Sequence, residues 1–171
     1  MRPLLTGGDR RSLARADQAR LVVEDNPARI AELAELAEDG DWRVSLRALD
    51  LLEKLVHEHV EWIEPYKRVF LGSCTRSDKW EVRLQMVRAL PLFKWTGRDA
   101  ARAKAILLEN LTYPQAFVKA WALDSLATFA VKDGRLMPAV RAHLEEFEKT
   151  GSKALQARAR RIRQRLAARP E

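Results

Sequence analysis

Apolar side chains recur along this chain three and four residues apart, the spacing of one helix face, in successive runs broken by Gly, Pro, Asn and Asp. In residues 42–60, Leu46, Leu49, Leu52, Leu55 and Val56 form a broad apolar face, while Arg43, Arg47, Asp50 and Lys54 follow a 4-3-4 rhythm on the other side. Before it, Asn26-Pro27 suits a helix start, and Ile30, Leu33, Ala34 and Ala37 carry an apolar stripe until Gly40. The same reading predicts helices over about 63–74 (opened by Pro65), 79–95 (after Ser77-Asp78), 98–111, 114–131 (opened by Pro114), 135–149 (after Asp133-Gly134) and 152–168 (after Gly151-Ser152). Ser12 is placed to cap a shorter helix ending near Val23, and residues 1–9, with Pro3, Gly7 and Gly8, read as a flexible leader. Pro91 predicts a kink within the 79–95 helix, because it lacks an amide proton and presses on the carbonyl of Val87. No alternating run is long enough for a strand, and the links are short, so an all-α array of antiparallel neighbours is expected.

The helices repeat. Trp42-Arg43-Val44-Ser45-Leu46-Arg47-Ala48-Leu49 returns as Trp80-Glu81-Val82-Arg83-Leu84-Gln85-Met86-Val87 and again as Phe117-Val118-Lys119-Ala120-Trp121-Ala122-Leu123. Val44, Val82 and Val118 are 38 and 36 residues apart, and a degenerate fourth copy begins near Ala157. Such a period holds two helices. Four pairs follow, at about 27–60, 63–95, 98–131 and 135–168, within one domain spanning 10–168, with 169–171 as a tail.

These residues resemble HEAT repeats, whose second helix carries a Val-Arg pair followed by small and aliphatic residues. Val82-Arg83 with Met86, Val87 and Leu90, and Val118-Lys119 with Ala122, Leu123 and Leu126, are similar to that pattern, whereas Val44-Ser45 lacks the base. The resemblance implies a right-handed α-α superhelix whose second helices line a concave face. It also implies a non-catalytic scaffold or protein-binding role. In that register Arg47, Gln85, Trp121 and Arg160 fall three residues past the reference position, and Asp50, Arg88, Asp124 and Arg163 six past it. Arg47, Arg88, Trp121, Asp124, Arg160 and Arg163 are therefore the candidate binding residues, with a partner protein bearing an acidic or helical segment as the expected ligand.

Charge adds a second candidate. The formal net charge is +7, but residues 152–171 hold seven bases against one acid, and residues 1–20 five against two, which leaves the middle slightly acidic. On the last helix, Leu155, Ala159, Ile162 and Leu166 form an apolar stripe, and Arg158, Arg160, Arg161, Arg163 and Arg165 fill much of the remaining circumference. That arrangement suits a terminal capping helix, and equally a nucleic-acid contact through phosphates. A membrane surface fits less well, since the stripe has no aromatic residue. The alkylpurine DNA glycosylases of the HEAT-like class supply the enzymatic version, with Trp121 near the base and Asp124 near the sugar; the spacing here is three residues rather than four.

Other chemistry is sparse. The sequence has no glycine-rich phosphate loop, His-Glu-x-x-His helix or nucleophile elbow. His57 and His59 are two residues apart, about 200° around a helix, and do not converge on one ion, so neither metal nor cofactor is expected. The single Cys74 reads as a small buried apolar side chain, and the absence of a signal-like or membrane-spanning stretch suggests a cytoplasmic protein.

Overall fold

Short polar side chains set the helix starts. Asp41 accepts the Arg43 amide at 3.0 Å, Asn26 the Ala28 amide at 3.2 Å, Asp133 the Arg135 amide at 3.4 Å and Ser152 the Leu155 amide at 3.4 Å. Each satisfies a donor that the first helical turn leaves without an intrahelical acceptor. The computed structural model describes residues 1–8 and 14–168, and among these every regular element is helical. In chain order the α-helices are α1 (Arg2–Leu5), α2 (Ala16–Asp25), α3 (Ile30–Leu36), α4 (Trp42–Glu58), α5 (Val60–Ile63), α6 (Trp80–Ala89), α7 (Gly97–Asn110), α8 (Ala116–Lys132), α9 (Met137–Thr150) and α10 (Lys153–Ala167), with short 3-10 turns between several of them. No helix among the described residues is long and apolar enough to cross a membrane.

The helices gather into two compact units, residues 1–93 and 94–171. The division falls between the second and third predicted pairs. In the first unit α4 is the central helix: α1, α2, α3, α5 and α6 all contact it, and its buried residues include Arg47, Asp50 and Glu53 beside the leucines. In the second unit α8 holds the same place, contacted by α7, α9 and α10. A helix apolar nearly all round is stable only when covered on every side, and α8 buries Val118, Ala122, Leu123, Leu126, Ala127 and Ala130. Thus the first and third copies of the repeated segment are the central helices, and the second and fourth copies, α6 and α10, pack against them within their own units.

Three sequence expectations are corrected. The leader is no free tail: Arg2–Leu5 form a helical turn that packs on α2 and α4, and Leu5 is fully buried. Burying a leucine is favourable by about 2 kcal/mol, and ion pairs from the Met1 amine to Glu32 at 3.4 Å and from Arg2 to Asp39 at 2.8 Å fasten the segment. The Ser12 cap lies outside the described residues. The helix expected over 63–74 is a short α5 followed by 3-10 turns at Glu64–Leu71 and Ser73–Arg76. Pro65 removes an amide there, and the Cys74 thiol and Thr75 hydroxyl donate to the carbonyls of Val69 (3.2 Å) and Gly72 (2.9 Å), so side chains take acceptors a regular helix would use. Pro91 ends a helix instead of kinking it: α6 stops at Ala89, Leu90–Leu92 tighten into a 3-10 turn, and Phe93 is extended.

Candidate functional site

The sixth position after the reference valine is a rung between packed helices. Asp50 on α4 and Asp124 on α8 occupy it, and both are buried. Asp50 accepts from Gln85 of α6 at 3.1 Å and from Lys54 at 2.7 Å. One turn on, Glu53, 2% exposed, accepts from Arg88 of α6 at 3.1 Å, and His57 Nε2 lies 3.2 Å from the same Oε1. A buried carboxylate is tolerable only when neutralised and hydrogen-bonded.

Asp124 has the same arrangement with stronger partners. Arg158 Nη1 donates to its Oδ2 at 2.8 Å, Arg165 Nη1 lies 2.5 Å from its Oδ1, and Arg165 Nη2 donates to the Asp124 carbonyl at 3.1 Å. The Arg158 guanidinium also lies 4.0 Å above the Trp121 ring. A planar cation over an indole face is attracted by the ring quadrupole. One arginine is thereby fixed from two directions, by a carboxylate and by an aromatic face.

Of the six expected binding residues, four are engaged within their own units. Arg47, 2% exposed, donates from Nη1 to the Leu5 carbonyl at 2.6 Å and holds α1 in place. Arg88 is engaged by Glu53 within the first unit, and Asp124 by two arginines within the second. Arg163 makes a two-pronged bond to Glu148 of α9, at 3.0 and 2.9 Å, holding that carboxyl below its usual range. Arg160 remains exposed on α10, and Trp121 is half-buried. Trp121, Arg160 and Arg163 keep an accessible surface, and Arg160 lies near enough to Glu148 to help hold its carboxyl low.

Beside Trp121 runs a trough of about 160 Å³ between α8 and α10. Phe117 and Trp121, one turn apart on α8, line it, as do Arg158 and Arg161, three residues apart on α10. Ala116, Ala120, Ala154 and Ala157 keep it open, because their methyl groups do not fill the space between the helices. Phe117 is 57% exposed. Arg161 is exposed and makes no ion pair with any described residue. The electrostatic setting is one-sided: the second unit has 16 lysines and arginines against 8 acids, the first 15 against 16.

The remaining candidates are structural. His57 faces Glu53, whereas His59 stacks on Trp62 with ring centroids 3.8 Å apart, so the two point to different surroundings. No group of three or more metal-ligating side chains converges among the described residues. Cys74 is buried, and desolvation pushes its thiol up to about 12. Sequence reasoning missed Phe117, and named Arg158 and Arg161 only on the basic face of the last helix, not beside Trp121. A signal for Arg158 was present: it follows Ala157 as Arg83 follows Val82 and Lys119 follows Val118.

Comparison of the chain with family models, with curated proteins and with solved structures finds no match in any of the three.

Proposed function

We propose that this chain is a non-catalytic, HEAT-like helical-repeat module that binds a partner protein, and that the α8–α10 trough is where it does so. The observation that carries this reading is the trough itself, an uncovered, mostly apolar slot with the exposed Phe117 on its lining and two arginines along it. Exposed aromatics beside a concavity are the usual anchors of recognition surfaces. Packing of α4 on α6 and of α8 on α10 supports the repeat reading, since the second helices of successive pairs are neighbours within each unit. A non-catalytic role is supported by Asp124, whose two carboxylate oxygens are both held by guanidinium groups. To stabilise a cation developing on a sugar it would first have to release one of them.

Photocrosslinking tests this reading. With benzoylphenylalanine at Phe117, cells should yield a discrete protein adduct that is lost in Arg161→Glu and not formed from Leu21, which is 64% exposed on α2. Equal, diffuse labelling from both positions would overturn it.

The basic surplus of the second unit favours a second reading, contact with nucleic acid through α10. A labelled short duplex, followed by anisotropy at low and moderate salt, should then bind with steep salt dependence and lose affinity in Arg160→Glu/Arg161→Glu. Absence of binding at low salt removes that reading and its glycosylase form together.

A further inference from the structure

We infer that the segment received by the α8–α10 trough is an acidic amphipathic helix that inserts one large apolar side chain and sets carboxylates one turn away against Arg158 and Arg161; the inference rests on the trough being a protein-binding site. Three observations lead to it.

The first is shape. Ala116 and Ala120 are four residues apart on α8, and Ala154 and Ala157 three apart on α10, so small side chains recur at helical spacing on both walls. Small residues in such rows let another helix approach closely, as a helix lies in a groove. About 160 Å³ admits one large side chain and not a row of them.

The second is the chemistry of the walls. Phe117, Trp121 and the alanines offer an apolar side chain dispersion contact, but few polar atoms to read a base edge. The polar groups of the trough are the two arginines, three residues apart and therefore on one face of α10. A partner helix presenting acids at the same spacing matches them.

The third is preorganisation. A guanidinium has five N–H donors, and the one Arg158 hydrogen bond to a carboxylate leaves others to spend on a ligand. Held by Asp124 and stacked on Trp121, its plane is fixed before a partner arrives, which lowers the ordering cost of binding. The surplus of positive charge in this unit favours acids over bases in the incoming segment.

The test uses the full chain and fluorescein-labelled peptides of about 20 residues, long enough to form helix. One is built of alanine and glutamate with a single central leucine; a second has alanine in place of the leucine, and a third glutamine in place of the glutamates. The Glu/Leu peptide should bind in the micromolar range, and each control peptide at least tenfold more weakly. Ala157→Phe, which fills the trough, and Arg161→Glu, which reverses a charge along it, should each weaken the Glu/Leu peptide at least tenfold; both positions are exposed, so circular dichroism and Tm should be unchanged. If the glutamine peptide binds as tightly as the glutamate peptide and still depends on Ala157, the acidic specificity is overturned while the protein-binding site stands. If no peptide binds, or binding ignores Ala157→Phe, both fall. A labelled oligo-dT that binds with the same dependence on Ala157 and competes with the peptide overturns the inference in favour of nucleic acid.

Discussion

Arg158 lies with its guanidinium 4.0 Å from the centre of the Trp121 ring while donating to Asp124 at 2.8 Å, which makes one side chain both a rung between α10 and α8 and part of the wall of the trough. Stability and the proposed recognition are therefore coupled at this residue.

Asp124→Ala should lower unfolding free energy by about 3 kcal/mol, because it leaves Arg158 and Arg165 facing each other without their shared carboxylate. The arginines are partly exposed, which keeps the loss at the lower end for a broken pair. Asp124→Asn should cost less, and Arg158→Ala should shift the Trp121 emission. Urea titration gives the first two and fluorescence the third. A wild-type midpoint for Asp124→Ala would mean that the rung does not form in solution.

Glu53 and Arg88 give a second test in the other unit. Arg88→Met leaves Glu53, 2% exposed, with only His57 beside its Oε1, and should destabilise by about 3 kcal/mol. Adding Glu53→Gln to that variant should restore part of the loss, since no buried charge remains. A coupling energy above about 1 kcal/mol in the double-mutant cycle is expected, and strict additivity would contradict the pair.

Acid should unfold the second unit through Asp133. Its carboxyl accepts from Arg135 Nε at 2.8 Å and from Lys104 of α7 at 2.6 Å, and these bonds, Arg135 foremost, hold it well below the usual carboxylate range. A folded value below the unfolded one, about 4, means that the stabilisation is complete above that pH and drains away as pH falls below it. Tm should stay level from about pH 7 to 5 and drop below about 4. Asp133→Asn keeps a capping oxygen but removes the charge, so it should lower Tm at neutral pH and flatten the acid limb. An unaltered acid slope in that variant would show that other carboxyls govern it.

Gly151→Ala should destabilise by about 1–3 kcal/mol, the range for inserting a methyl into a filled space. A Cβ at Gly151 would stand 2.4 Å from the Phe147 carbonyl oxygen and 2.9 Å from Leu155 Cβ, where α9 turns into α10. Gly134→Ala, with nothing within 4 Å of the new methyl, is the control and should leave the midpoint within about 0.5 kcal/mol of wild type. Equal midpoints for the two variants would contradict the close approach.

The long helices were legible because each carries its own signals. α4, α8 and α10 begin within two residues of their expected starts. The segment 63–74 was misread because its apolar spacing is compatible with a helix, whereas Pro65 and side-chain bonds from Cys74 and Thr75 favour tighter turns. The leader was misread for a different reason: nothing local in Arg2–Leu5 demands a helix, and its order depends on burial of Leu5 and on the bond from Arg47, 42 residues away.

The sequence by itself determined the helical class and the starts of the long helices, because periodicity and caps act over a few residues and need no partner to be read. It could not determine which polar residues are engaged by another helix. Charge and helical phase give Arg47, Arg88, Asp124 and Arg163 the same appearance as Arg160 and Arg161, yet the first four are committed to other helices. Only the tertiary structure decided that, by setting which helix lies against which face. The desolvation of a charge depends on what covers it, and what covers Asp124 is a helix that begins 29 residues further along the chain.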